Sequence, residues 1–494
     1  MQEPVQRAAG RAVRGAAIVL VSSYLNMGMG FAATVWLTRL LAPEDFGVLA
    51  LATFLFGLLD PRTKFGLDPA FMHRPRTTDQ LIATHLSLQL ALGVGGLLLA
   101  LLVRPLLPLL GYSPQVAVVV VVLAAVGILE VSGTTARNVL EKDLRFGRTA
   151  LVVSGSWFFC YATSITLAGR GLGLWSLVAG SAVNFALNAL GFWALAGVRL
   201  RPTVDRAMAR WLLRFGTALV PGAFAVIFLT QFDNFLVGTL VGLAALGYYE
   251  RAYKVAQWPT GLVTHVVARV SLPFYARLQH DPPRLARAFG LTLWLIAAVA
   301  VPLALVLFAV APDFVRLVFG EKWLPSALYL RLLVVYSAVR PLLDDAAALF
   351  AATGQPRKVT SVQVSQAVAL VAAATPLTWL WGAPGTALGV GVAFVVGLAV
   401  TYRYVWQTVH LPLWETLRGP ALGTAAGVAA LAALALASES LAGWPLWARV
   451  VGQGGVVALA FYGGLALVEG RDLWTRGQYI WRLAQGSRPE EMDV

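Results

Sequence analysis

Along this chain, stretches of twenty or more positions in which nearly every residue is apolar alternate with short connectors rich in Pro, Gly, Arg and Asp. The run VAVVVVVLAAVGIL is the plainest of them. A helix needs about 20 such residues to cross the hydrocarbon core of a bilayer, and only helices and closed barrels satisfy their own backbone there. Divided at Pro, Gly and charge clusters, the runs predict spans at 15–38, 45–70, 80–104, 114–137, 148–169, 173–197, 213–238, 245–270, 285–309, 325–352, 360–381, 384–407, 418–437 and 446–468. The pattern is that of an all-α polytopic membrane protein of about 14 transmembrane helices. An even number places both termini on the same side.

Composition agrees: 494 residues, 58% hydrophobic and only 13% charged, leave little chain for loops and none for a separate soluble domain. The first run, from Gly15 to Leu41, is too long for a signal-peptide core and lacks a small-residue cleavage pattern, so it is expected to be retained. The net charge of +14 would point to nucleic acid in a soluble protein. Counted by loop parity it has another source. With the N-terminus inside, the inner segments hold 27 Arg and Lys and the outer segments six, and the other five of the 38 fall within spans. Cytoplasmic loops are the ones that concentrate Arg and Lys, so both termini are expected in the cytoplasm and nucleic acid recedes as a partner.

The chain also resembles itself at an offset near 200. LLAPEDFGVLALAT (40–53) aligns with LVGLAALGYYERAY (240–253), which sets Gly47 opposite Gly247, and GLGLWSLVAG after Gly171 aligns with GAPGTALGVG after Gly382. Repeats of this length are those of half a transporter rather than of a solenoid. Six helices in each half predict one lobe over 1–200 and a second over 201–410. Residues 411–494 form an appended pair, helices 13 and 14, with a cytoplasmic tail; Glu439 lies between the two helices and no charge is expected to be buried in them.

Charged side chains within a span are costly, so they face a bundle interior or a water-filled cavity. In span eight, Glu250, Lys254, Gln257 and Gly261 share one helical stripe, Arg251 lies at its edge, and Ala252, Val255 and Ala256 lie opposite. Glu250 and Arg251 either join this wet face or snorkel at the outer interface. Span ten repeats the pattern with Tyr329, Tyr336, Arg340 and Asp344, where Arg340 and Asp344 have the spacing of an i, i+4 pair. Asp345 is either a cavity partner or a cap. Span two carries DPRTK, where Pro61 favours an unwound turn; Arg62 and Lys64 face the same cavity or join the cytoplasmic cluster. Asp233 in span seven and Glu130 in span four have no basic neighbour at i±3 or i±4. Each takes a partner from another helix, holds a proton, or stands as a neutral hydrogen-bonded carboxyl.

Other chemistry is poorly represented. Five histidines show no metal-ligand spacing, and one cysteine, Cys160, excludes an internal disulfide and reads as an inert buried thiol. GxSxG and P-loop motifs are missing, and the outer loops are too short for an external catalytic domain. The expectation is therefore no enzyme, no metal and no cofactor.

Several stretches together carry a family resemblance: WLTRLLAPEDFGVLALAT, ARNVLEKDLRFGRTALVVSG, LAGRGLGLWSLVAGS, FDNFLVGTLVGLAALGYYERAYKVAQWP, VFGEKWLPSALYLRLL and ATGQPRK, covering about 15 to 410. The chain resembles the oligosaccharide (polysaccharide) flippase branch of the MOP exporter superfamily, relatives of the O-antigen, colanic acid and lipid II flippases and of the MATE drug exporters. The resemblance implies two six-helix lobes around a central cavity plus two C-terminal helices, alternating access, and a cationic lumen. It implies a lipid-linked, polyprenyl-diphosphate glycan flipped from the inner to the outer leaflet of a bacterial cytoplasmic membrane. Under it, Arg251, Lys254, Arg340, Arg62, Lys64 and Gln257 are expected to meet substrate, with Asp233, Glu250, Asp344 and Glu130 as pairing or coupling groups for protons or sodium. Membrane lipids and other polysaccharide assembly proteins are the further partners. Two other functions remain open: a cation-coupled multidrug or small-molecule antiporter of the same superfamily, and a non-transporting scaffold of a glycan assembly complex.

Overall fold

The computed structural model describes residues 2–60, 65–197, 202–441 and 443–484, which are helical throughout apart from connectors. The first helices are α1 (Gln2–Leu40), α2 (Pro43–Leu59), α3 (Leu67–His73), α4 (Asp79–Val103), α5 (Leu106–Leu109), α6 (Pro114–Lys142), α7 (Phe146–Gly169) and α8 (Leu174–Ala196). Next come α9 (Arg206–Thr217), α10 (Val220–Leu236), α11 (Leu243–Ala256), α12 (Trp258–Leu278), α13 (Pro282–Val318), α14 (Pro325–Leu332) and α15 (Val334–Ala352). The last are α16 (Pro356–Trp381), α17 (Ala383–Val409), α18 (Leu413–Leu436), α19 (Ser438–Leu441) and α20 (Leu446–Ala484). Their starts are set by local chemistry. Thr78, Ser113, Asp205 and Asp281 each accept a hydrogen bond from a backbone N–H one turn on, and Pro43, Pro114 and Pro282 occupy first-turn positions whose N–H has no helical partner.

Among the described residues, 12 helical stretches are long and apolar enough to cross a membrane, against the fourteen expected. The protein is a multi-pass membrane protein, and the two expected spans that do not qualify are the second and the eighth. In the second, α2 stops after 17 residues at Asp60, and the backbone of 61–64, which holds Arg62 and Lys64, lies outside the described residues. In the eighth, the helix is interrupted at Gln257, two residues before Pro259, whose missing N–H cannot bond back to Val255. Both of these spans carry charged residues, and they occupy matching places in the two halves of the repeat.

By packing the chain divides into two compact units, Met1–Glu250 and Arg251–Val494. In the first unit, α6 packs on α4 and α8 and α7 packs on α1 and α8, and α2 meets the start of α11. That crossing is reciprocal: a side chain at Gly47 would run into the carbonyl oxygen of Leu243, and one at Gly247 into that of Pro43. The pairing read from the sequence, Gly47 with Gly247, is therefore also a contact. The repeat extends to helix caps. Gly173 before α8 and Gly382 before α17 adopt the same conformation, φ 51° and ψ −132° against φ 64° and ψ −144°, which sets their register at Gly173 with Gly382 rather than Gly171 with Gly382.

In the second unit, α20 packs against α13 and α18. Its expected lack of buried charge is not what the structure holds. Arg449, expected in an outer loop, pairs with Asp313 of α13 at 3.0 Å with side chains only 19% and 10% exposed, and Gln453 donates to the same carboxylate at 3.3 Å. Further along α20, Glu469 is buried and accepts from the indole of Trp294 at 2.8 Å. The pairing was invisible locally because its partners are far apart in the chain. Arg449→Ala strands the Asp313 carboxylate and is expected to cost on the order of 3 kcal/mol, read as a lower melting temperature in detergent by size-exclusion chromatography after heating. The double variant Arg449→Met/Asp313→Leu is expected to melt close to wild type, because it removes both charges together.

Candidate functional site

Tyr336, Arg340 and Asp344 lie one turn apart on α15, and the structure keeps them on one side, as their spacing predicts. The guanidinium of Arg340 donates from Nε to Asp344 Oδ1 at 3.1 Å, with side chains 35% and 25% exposed. It also lies 5.9 Å from the centre of the Phe394 ring of α17, within the range of cation–π attraction. Tyr336 stands edge-on to the same ring at 4.8 Å, and Tyr253 of α11 packs on Tyr336 at 5.0 Å. Where α11 ends, Ser337 of α15 donates to the carbonyl of Ala256 at 2.7 Å, a side chain supplying a bond at an interrupted helix. The result is a half-exposed Arg–Asp pair on an aromatic floor, built from α11, α15 and α17 within the second unit. Tyr329, expected on the same stripe, falls on α14, because the helix breaks at Leu333.

The residues of α11 sort differently from their predicted stripe. Lys254 and Gln257 are exposed, as expected of its wet face, and Ala252, Val255 and Ala256 are buried opposite. Arg251, read at the edge of that face, is buried instead. Glu250 is half-buried. Of α12, the side chains of 262–270 lie outside the described residues.

Asp233 and Glu130 stand apart from this group. Asp233, buried in α10, accepts from the Tyr249 hydroxyl of α11 and from the Asn234 backbone, both at 2.9 Å. Its partner does come from another helix, and it is a neutral donor rather than a base. Glu130 is exposed and lines a cavity of about 280 Å³ with Thr134, Arg137, Trp157, Asn184 and Asn188. Two polar centres escaped the sequence. Asp345 is neither cavity partner nor cap: it is buried, with the Tyr275 hydroxyl at 3.0 Å from each carboxylate oxygen and Thr292 donating at 3.1 Å, so that it ties α12 and α13 to α15. Asp68 of α3 accepts from Asn138 at 2.7 Å and Gln89 at 3.1 Å and faces the buried His85 at 3.4 Å. Nothing in the local pattern joins residues so distant in the chain.

A half-exposed guanidinium already neutralised by a carboxylate can exchange that carboxylate for an incoming anion. Arginine presents a planar fork matched to carboxylate and phosphate oxygens, and the aromatic floor below restricts its motion. Such an exchange takes from Asp344 the charge that Arg340 supplied, which a proton or a cation can replace.

A family model described as a polysaccharide biosynthesis protein matches residues 36–328. Among curated proteins, the lipopolysaccharide biosynthesis protein WzxC of Escherichia coli (strain K12) is 22% identical over 394 residues, 79% of this chain and 80% of that protein. The succinoglycan biosynthesis transport protein ExoT of Rhizobium meliloti (strain 1021) is 24% identical over 302 residues, 60% of each chain. Among solved structures, the lipid II flippase MurJ in an inward closed conformation is similar with a TM-score of 0.74 at 13% identity, over 92% of this chain and 98% of that one. An inward-facing multidrug resistance MATE transporter of the MOP superfamily is similar with a TM-score of 0.58 at 16% identity, over 78% and 94%. At these identities the structural likeness carries the fold, which is that of MurJ and MATE transporters.

Proposed function

Because this chain belongs to the polysaccharide biosynthesis protein family, we propose that it is a transporter, not an enzyme, that flips a lipid-linked oligosaccharide from the inner to the outer leaflet of a bacterial cytoplasmic membrane. The observation that carries the proposal is the Arg340–Asp344 pair, half-exposed on its aromatic floor in a chain with only 13% charged residues. A polyprenyl-diphosphate glycan presents two phosphates and a polar sugar chain, neither of which enters hydrocarbon without a large penalty. Arg340 supplies a counter-charge for the diphosphate, with Lys254 exposed on α11 and Gln257 beside Tyr336 as further polar contacts.

In this scheme Asp344 balances the charge of the Arg340 guanidinium when no substrate is bound. Phosphate then displaces it, and the released carboxylate takes a proton or sodium ion, which ties substrate movement to an ion gradient. Both termini lie in the cytoplasm, following the 27 to six division of basic residues. Other proteins that assemble the same polysaccharide are its partners.

The test is reconstitution into vesicles with a polyprenyl-diphosphate oligosaccharide bearing a fluorophore that an added membrane-impermeant quencher can bleach. We expect bleaching of the inner-leaflet pool at least tenfold faster than in protein-free vesicles, and faster still with a proton or sodium gradient. Equal rates with and without protein would remove the proposal.

A further inference from the structure

The cavity beside Glu130 has no part in the diphosphate scheme, yet its lining is unusual for the interior of a membrane helix bundle. It is enclosed by α6, α7 and α8, all within the first unit, and its volume of about 280 Å³ lies near the lower end of small-ligand pockets, about 300 Å³. Asn188 Nδ2 donates to Asn184 Oδ1 at 3.0 Å. This bond joins the two amides and leaves Asn184 Nδ2 and Asn188 Oδ1 without partners. Asn184 is only 5% exposed. An unmet buried donor is destabilising, so a native structure retains one where something else supplies its partner.

The open donor and acceptor, on amides that bond to each other, match what two neighbouring hydroxyls require, since each hydroxyl both donates and accepts. Trp157, which lines the cavity and stacks on Tyr161 at 5.3 Å, adds a flat apolar surface with an indole N–H at its edge. The charge in the cavity argues against an anion. Arg137 is committed to Glu141 at 2.7 Å, and Glu130 brings a carboxylate to the same lining. Beside the two amides, Thr134 and Ser181, the lining holds Val153, Phe185 and Phe192, a mixture that suits the polar rim and apolar face of a sugar ring better than a uniformly apolar lipid tail.

The second half of the repeat lacks these features. Carrying the Gly173–Gly382 register along α17 places Ala393 and Gly397 where α8 has Asn184 and Asn188. Ala393 is buried, and a side chain at Gly397 would press on Gln366 of α16 at 2.5 Å. Shared helix geometry therefore does not by itself produce the cavity; the side chains of α7 and α8 do.

We propose that the cavity enclosed by α6, α7 and α8 is a saccharide subsite, in which Asn184 and Asn188 hydrogen-bond neighbouring hydroxyls of one neutral sugar ring while Trp157 packs on its apolar face. Assigning that ring to the transported glycan rests on the flippase proposal; the capacity to bind sugar does not. The test uses the purified full chain in nanodiscs and saturation-transfer NMR with free glucose, galactose, mannose, rhamnose, fucose and N-acetylglucosamine. At least one of these is expected to bind wild type, to weaken at least tenfold in Trp157→Ala and in Asn184→Leu/Asn188→Leu, and to persist in Trp157→Phe and Arg340→Ala. The double leucine variant replaces both amides with groups of similar volume, and a melting temperature near wild type is the check that it is folded. No saturation transfer from any of the six sugars, or undiminished binding by the double variant, overturns the subsite. Sugar binding that follows the expected order in a protein that moves no lipid-linked glycan overturns the flippase proposal and leaves the subsite standing.

Discussion

Gly47→Val is expected to remove most folded protein from the membrane, and Gly47→Ala to lower its melting temperature in detergent by at least about 5 °C. At this position α2 and α11 touch backbone to backbone, and the group that an added methyl meets is the carbonyl oxygen of Leu243. A flexible side chain would swing aside. A carbonyl within a helix does not, so the helices must separate. Overpacking of this kind typically costs about 1–3 kcal/mol, and the upper end applies because the obstacle is backbone. Gly247→Ala should have the same effect, since its methyl meets the carbonyl of Pro43. Gly57→Ala is the internal control: it lies on the same α2 helix with no atom near its Cβ direction, and alanine favours helix over glycine by about 1 kcal/mol. Equal melting temperatures for Gly47→Ala and Gly57→Ala would show that the crossing relaxes and that the close approach carries no constraint.

The same crossing shows what could be read from the chain. Gly47 and Gly247 aligned in sequence because each half of the repeat needs a residue without a side chain at this one place, a requirement that one-dimensional comparison can detect. The i, i+4 spacing of Arg340 and Asp344 was legible for a similar reason: helical geometry alone makes them neighbours. Arg251 was misplaced because one residue of rotation, about 100° on a helix, separates an exposed edge from a buried one, and the neighbouring element that decides between them is not written locally. The eighth span is not continuous because Pro259 lacks the N–H that would bond back to Val255, a break that the apolar run around it masks. Asp345, with its hydroxyl donors on α12 and α13, lay beyond reach, since its neighbours are set by packing across the unit. Asn184 and Asn188 are inconspicuous for a different reason: in SAVNFALNALGFW two amides one turn apart read as tolerated polar positions in an apolar helix. Only the unused donor and acceptor give them meaning.

Arg340→Ala is expected to reduce transport of lipid-diphosphate glycan at least tenfold while protein level and melting temperature stay near wild type. The side chain is 35% exposed and its partner 25%, so the pair itself contributes little to stability, as exposed and half-exposed pairs do. A hydrogen bond between charged groups is worth about 1.5–3 kcal/mol, which corresponds to a factor of about 10 to 150 in binding or rate at 1.4 kcal/mol per tenfold. Arg340→Lys keeps the charge and loses the planar fork, so it should retain part of the activity. Asp344→Asn is the more discriminating change. It leaves Arg340 without its carboxylate, so the diphosphate should bind more tightly and leave more slowly, and the rate at saturating substrate should fall while half-saturation shifts to lower concentration. The ion dependence should also fade, because the carboxylate that phosphate displaces is no longer there to take up a proton or sodium. Arg251→Ala serves less well as a test, since that side chain is buried and its loss disturbs packing as well as charge. Full transport by Arg340→Ala at normal protein level would end the phosphate role for this pair. A loss confined to Arg340→Ala, with Asp344→Asn indistinguishable from wild type, would retain the counter-charge and discard the exchange between carboxylate and phosphate as the means of coupling.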